Sequence, residues 1–118
     1  MHKNIFNGWL LVNKPAGITS ADVVRVLKRK MNPTKIGHAG TLDPGATGLI
    51  PLALGEATKA IPYLLKSNKK YEATLLYGKK TDTDDASGNI LRASWYTPRK
   101  NEILEALNYY CLLYTSDA

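Results

Sequence analysis

The sequence predicts an α+β fold: a mixed, largely antiparallel sheet with flanking helices. Three observations predict it. Short apolar or alternating runs at 8–13, 49–54, 71–77 and 90–95 lie between turn-forming residues and read as strands. Two other stretches, 20–31 and the one after Thr97-Pro98, carry apolar residues at helical spacing. The elements do not recur as a regular strand–helix–strand array, so antiparallel or mixed pairing fits better than a doubly wound parallel sheet.

Taken in order, Gly8-Trp9-Leu10-Leu11-Val12-Asn13 is the first strand, closed by the turn Lys14-Pro15-Ala16-Gly17. Thr19 or Ser20 suits a helix N-cap, with Asp22 placed for the first turn. Val24, Leu27 and Met31 give the helix its apolar stripe, and Asn32-Pro33 ends it. Residues 34–48 hold Gly37, Gly40, Pro44, Gly45 and Gly48 and read as an ordered loop. Leu49 to Leu54 is apolar enough for a buried strand, which Gly55 ends. Thr58 is placed to cap a helix running to about Lys66, with Pro62 kinking or restarting it. Tyr71 to Tyr77 alternates as a strand, Thr81 to Asn89 is a polar turn, and Ile90 to Trp95 is its partner strand. Thr97-Pro98 then offers an N-cap and a first-turn proline for a last helix, with Ile103, Leu104, Leu107 and Tyr110 on one stripe.

Composition narrows the classes of function. The chain has 118 residues, which suits one domain, with 44% apolar and 22% charged residues. Those values argue against a disordered tail, a collagenous repeat or a coiled coil. No apolar run approaches the ~20 residues that span a bilayer, and the N-terminus lacks the apolar stretch of a signal peptide. A single cysteine, Cys111, forms no internal disulfide, so a reducing, cytoplasmic setting is expected. The net charge is +6, and residues 1–50 carry seven basic against two acidic side chains. Lys28-Arg29-Lys30 is either part of a phosphate-backbone footprint or a solvated helix face, and charge by itself does not choose.

The segment densest in chemistry is Gly37-His38-Ala39-Gly40-Thr41-Leu42-Asp43-Pro44-Gly45-Ala46-Thr47-Gly48. Its glycines permit close approach to a ligand, and Pro44 restricts the backbone of Asp43. Such a loop can hold one carboxylate rigidly, or it can be a connector whose aspartate merely closes a turn. Stock alternatives fail. There is no Gly-Lys-Ser/Thr ending of a phosphate loop and no strand–GxGxxG–helix unit. His2, His38 and Cys111 are too widely spaced for a zinc pattern, so no metal is expected. In Asp82-Thr83-Asp84-Asp85-Ala86-Ser87-Gly88 the glycine falls one place late for a calcium loop. What remains is a metal-free site built on one carboxylate.

Several blocks together resemble a known family. Gly8 to Ser20, the Asp43 segment, Gly55-Glu56-Ala57-Thr58-Lys59, Lys70-Tyr71 and Thr81-Asp82-Thr83-Asp84-Asp85 match, in order and spacing across residues 8–95, the TruB family of bacterial tRNA pseudouridine-55 synthases. Relatives that work within guide-RNA particles share the aspartate loop, and the position of the first motif favours the stand-alone bacterial type.

The resemblance implies a pseudouridine synthase-like fold and an enzyme that isomerises the T-loop uridine of tRNA to pseudouridine. It implies a tRNA T-arm as partner, action as a monomer, and no cofactor, because nothing is added or removed. The family's catalytic aspartate maps onto Asp43. An aspartate is ionised at neutral pH, as a nucleophile requires. It attacks C1′ or assists departure of uracil by a glycal-like route, and the sequence does not choose between them. Tyr71 maps onto the family's base-stacking tyrosine; read without the resemblance, it is a strand tyrosine buried in the core. His38 maps onto a residue that contacts RNA and helps hold the flipped nucleotide. Lys14 and Lys70 are either phosphate contacts or ordinary surface lysines, and Thr81 to Asp85 is read as a structural turn.

Two rivals stay open: a non-catalytic RNA-binding fragment, and a small glycosidase, which needs a second acid near Asp43, with Glu56 nearest in sequence. Family members continue into further strands, an arginine that pairs with the aspartate and often a small RNA-binding domain, none of which can be matched here. Residues 1–110 are therefore expected to be the N-terminal part of an incomplete catalytic domain. Residues 111–118, Cys111 to Ala118, match no family segment and resemble a translated sequencing-library transposon end, a non-native tail.

Overall fold

A computed structural model describes residues 2–115. The chain separates into two compact units, Met1–Lys70 and Tyr71–Ala118. The first contains strand β1 (Gly8–Lys14), helix α1 (Ser20–Met31), strands β2 (Ile36–His38) and β3 (Gly48–Leu54), a 3-10 segment over Gly55–Ala60 and the short helix α2 (Ile61–Leu65). Its sheet is antiparallel, in the order β1-β3-β2.

The register of β1 on β3 sets everything that follows. Leu10 lies opposite Leu52, Val12 opposite Ile50, and Lys14 opposite Gly48. Alternation sends Leu10, Val12 and Lys14 to one face and Trp9 and Leu11 to the other. The inward face packs on α1: Val23, Ile50 and Leu52 are buried, with Leu10, Ile18, Val24, Leu27 and Leu42 against them. Full burial of such side chains contributes about 1.5–3 kcal/mol each. Trp9 and Leu11 remain exposed.

Helix α1 starts where the capping chemistry says it should. The Thr19 hydroxyl accepts from the Asp22 N–H at 3.0 Å, and the Asp22 carboxylate accepts from the Thr19 N–H at 3.0 Å, a reciprocal capping box. These bonds hold the Asp22 carboxyl below its usual pKa, with the nearby Arg25 guanidinium adding to the effect. At the other end Asn32 takes a left-handed conformation at φ 46° and its N–H returns to the Lys28 carbonyl. Lys28, Arg29 and Lys30 lie in this last turn, where cations suit the helix dipole, and all three are exposed.

Two expectations change in detail, and one choice between alternatives is decided. The run 34–48 is not all loop, because Ile36–His38 pairs with Leu52–Leu54; partners across the sheet override its glycine-rich composition. Thr58 does not cap a helix: its hydroxyl donates to the Gly55 carbonyl inside the 3-10 segment. Pro62 falls in the first turn of α2, so it restarts the helix rather than kinking it.

The second unit holds strands β4 (Lys79–Thr81) and β5 (Ile90–Ala93) and helix α3 (Lys100–Thr115). Expected strand 71–77 is absent: the segment has no ladder partner among the described residues, and alternation without a partner leaves every backbone group to water. The strand of 90–93 pairs instead with β4. Between them Asp85 accepts from Thr83 Oγ1 at 2.7 Å and from the Ser87 N–H at 2.8 Å, which lowers its pKa, the Ser87 hydroxyl contributing most. Asp82 bonds Asn89 through both backbone and side chain. The acidic run is thus a structural turn, as read. Helix α3 begins two residues later than Thr97-Pro98 implied: Arg99 caps it, its carbonyl taking the Ile103 N–H and its N–H donating to Glu102. The backbone of α3 continues into the stretch expected to be a non-native tail, of which residues 116–118 lie outside the described residues.

Candidate active site

The Asp43 loop leaves β2 and returns as β3. It is held at the two residues that flank the aspartate. On the near side, the Ser20 hydroxyl, on the first residue of α1, accepts from the Leu42 N–H at 3.0 Å and donates to the Leu42 carbonyl at 3.3 Å. On the far side, the Pro44 carbonyl accepts from the Gly17 N–H at 2.7 Å and from Lys14 Nζ at 3.2 Å. The Asp43 carbonyl itself takes the Ala46 N–H at 2.9 Å, closing a tight turn with Pro44 at its second position. Asp43 is exposed and, among the described residues, no ion pair engages its carboxylate. The loop therefore presents one open carboxylate on a backbone clamped on both sides.

Lys14 corrects the sequence reading. It is neither a surface lysine nor free to meet a phosphate, because it is 0% exposed. Its three donors are taken by the carbonyls of Pro15 at 2.8 Å, Ile18 at 2.8 Å and Pro44 at 3.2 Å. An ammonium has three donors and no acceptor, so this cage satisfies it completely. The signal was present in the strand period: Lys14 continues the inward phase of Leu10 and Val12, and α1 and the aspartate loop close over it. Of the two N-cap candidates, Thr19 takes the cap, which leaves the buried Ser20 hydroxyl for Leu42.

His38 ends β2 at the mouth of the same loop and is half-buried. Its Nδ1 lies 2.8 Å from the Gly40 carbonyl. A carbonyl only accepts, so Nδ1 carries the proton, and in the neutral ring Nε2 is left as an acceptor. Gly40 adopts φ 126°, a conformation that favours glycine, and so lets its carbonyl return to the ring. Ala39, between them, is buried with its N–H on the Pro51 carbonyl at 2.9 Å. His38 and Asp43 thus belong to one braced loop of the first unit. Tyr71 opens the second unit on an extended segment outside any strand and is 68% exposed; it is not the buried strand tyrosine of the alternative reading.

The glycosidase alternative loses its nearest acid. Glu56 follows the far end of β3, and six strand steps from Gly48 to Leu54 measure about 20 Å. Its carboxylate pairs with Lys59 at 2.5 Å, which lowers its pKa and raises that of Lys59. The one other acid of the first unit, Asp22, is occupied by Thr19 and Arg25. Among the described residues no group of histidine, cysteine and acidic side chains is placed to hold a metal, and no helix is long and apolar enough to cross a membrane.

Comparison with known proteins gives this loop its relatives. Residues 28–111 match the model of the TruB family pseudouridylate synthase (N-terminal domain). A tRNA pseudouridine synthase B of Gluconacetobacter diazotrophicus is 48% identical over 101 residues, which is 86% of this chain and 33% of that protein. Its counterpart in Anaplasma phagocytophilum is 50% identical over 104 residues, 88% of this chain and 34% of the other. That of a Wolbachia pipientis strain is 52% identical over 97 residues, 82% and 28%. A chain in a solved H/ACA RNP bound to a substrate RNA containing 2′-deoxyuridine is 45% identical, with a TM-score of 0.47, over 49% of this chain and 18% of that one. The chain spans about a third of the length of the curated relatives it matches. With a family match over most of its length and near 50% identity to these synthases, the chain belongs to the TruB family of pseudouridylate synthases.

Proposed function

We propose that the full-length protein carrying these residues converts the T-loop uridine of tRNA, uridine-55, to pseudouridine, with Asp43 as nucleophile on a flipped-out nucleotide. The observation that supports this most directly is the open carboxylate of Asp43 between two clamped neighbours, Leu42 and Pro44, in a chain whose relatives are named tRNA pseudouridine synthase B. The reaction breaks the C1′–N1 bond of uridine. Attack by the Asp43 carboxylate forms a C1′–O bond while the electron pair leaves with N1. The detached uracil turns, C5 attacks C1′ and displaces the carboxylate, and loss of the C5 proton with protonation of N1 completes an isomerisation. Atoms balance without a cofactor.

A rigid loop suits this chemistry because the carboxylate must meet C1′ at reacting distance, where small misplacements are costly. His38, braced through Nδ1, offers Nε2 toward the RNA. Exposed Tyr71 supplies a ring on which the extruded base stacks, at about 1–3 kcal/mol per base. The T-arm of a tRNA is the partner, the cytoplasm the setting and a monomer the working form. Residues 1–110 form the N-terminal part of the catalytic domain and 111–118 a non-native tail. The family match, which ends at residue 111, and the one-third share of the relatives support that division.

The test is pseudouridine formation on a T-arm RNA by the full-length protein. Asp43→Asn is expected to abolish product while RNA binding persists. Appreciable turnover by that variant refutes the nucleophile. RNA binding that survives Asp43→Asn, with no pseudouridine formed even by the unaltered full-length protein, would favour the non-catalytic RNA-binding alternative.

A further inference from the structure

We infer that Ser20 is a positioning residue for Asp43, acting through the backbone of Leu42. The inference rests on the proposed role of Asp43 and adds a determinant of its rate. Ser20 is buried, and one hydroxyl meets both the N–H and the C=O of Leu42. An adjacent antiparallel strand would pair the same two groups of one residue; here a side chain replaces the strand. The residue so held immediately precedes the carboxylate.

The hydroxyl is itself fixed. Ser20 is the first residue of α1, directly after the Thr19 cap, whose capping box with Asp22 sets where the helix starts. Leu42 is anchored from its other end, since its side chain packs on the core of Val23, Ile50 and Leu52. A line of constraint therefore runs from the helix start through Ser20 and Leu42 to Asp43. The Lys14 cage holds Pro44, on the opposite side, independently. Losing the Ser20 hydroxyl leaves the loop attached at Pro44 but free to shift at Leu42, so the carboxylate moves while the RNA-binding surface stays in place.

The test uses the full-length protein and T-arm RNA, with rates expressed per folded molecule. Ser20→Ala is expected to lower kcat about 10²-fold, the cost of a displacement near 1 Å, with KM within about twofold of wild type. Ser20→Thr, which keeps the oxygen, recovers most of kcat. Leu27→Ala, two turns along α1 from Ser20, loosens the core and is expected to lower the melting temperature and leave kcat unchanged. The inference is overturned if Ser20→Ala retains kcat within about twofold, or if Ser20→Thr loses as much as Ser20→Ala. It is also overturned if Leu27→Ala lowers kcat as much as Ser20→Ala does. Asp43→Asn run in parallel separates the two levels: if it is inactive and Ser20→Ala is not, the positioning role alone fails. If it stays active, the nucleophile reading fails and the positioning role falls with it.

Discussion

Replacing Lys14 by methionine tests whether the buried ammonium is the keystone of the loop. Methionine keeps the length and most of the volume, so the change is chiefly the loss of charge and donors. Three charge-assisted hydrogen bonds disappear, each contributing about 1.5–3 kcal/mol. Against that gross loss stands the cost of burying an ammonium, several kcal/mol, which the variant no longer bears. The Pro44 carbonyl keeps the Gly17 N–H, whereas those of Pro15 and Ile18 lose their Lys14 partner. A carbonyl left unsatisfied away from water costs about 1–3 kcal/mol; Pro15 is exposed and Ile18 half-buried, so the net expectation is a loss of about 2 kcal/mol. With a urea slope of about 1–2 kcal/mol per molar, the unfolding midpoint followed by circular dichroism drops by roughly 1–2 M. The salt dependence of RNA binding should keep its slope, because Lys14 has no donor left for a phosphate. A stability unchanged to within about 0.5 kcal/mol, the range of an ordinary surface substitution, refutes the cage. A salt slope reduced by about one unit would show instead a phosphate contact.

Other outcomes follow from local geometry. Gly55 adopts φ 60°, and a Cβ there would fall on the Phe6 carbonyl oxygen; Gly55→Ala is expected to lose at least about 1–2 kcal/mol from the conformation alone, and a melting temperature equal to wild type would contradict this. The Asp22 carboxyl has a folded-state pKa below its ordinary value, with hydrogen bonds from Thr19 the first cause. Its stabilisation is therefore present above the ordinary Asp value near ~3.9 and lost as pH falls through the lower folded-state value; Asp22→Asn should flatten urea midpoints measured from pH 6 down to pH 2, and an unchanged pH slope would show the capping box to be energetically idle. RNA binding by the full-length protein should weaken steeply between about 50 and 200 mM salt, and a flat dependence would contradict a basic RNA-facing surface.

Local rules made much of the first unit legible. The Leu10–Val12 alternation, the Thr19 cap with Asp22, the Asn32-Pro33 stop and the apolar run into Leu54 each encode their element within a few residues. The aspartate loop, too, was legible as an ordered segment around Asp43. What escaped were features decided by residues far away in sequence. Ile36 to His38 becomes a strand only because Leu52 to Leu54 lies beside it. Lys14 is a residue type almost never fully buried unless its charge is compensated, and its compensation arrives partly from Pro44, thirty positions on. The converse error was Tyr71 to Tyr77, where good alternation met no partner strand. A period of two states which face a side chain will take; it does not supply the neighbour that makes a strand.

The proposed site depends on the core and not on the loop sequence alone. Leu10 opposite Leu52 and Val12 opposite Ile50 fix the β1–β3 register by burying one face against α1. That register places Lys14 opposite Gly48, at the point where the aspartate loop enters β3. A slip of one residue would turn Leu10, Val12 and Lys14 outward together, exposing the ammonium and releasing Pro44. It would also draw the start of α1, and with it Ser20, away from Leu42. Asp43 is therefore held by the pairing of hydrophobic residues that never approach a substrate. Core substitutions that preserve register should lower stability and spare the site, whereas those that shift it should remove both at once.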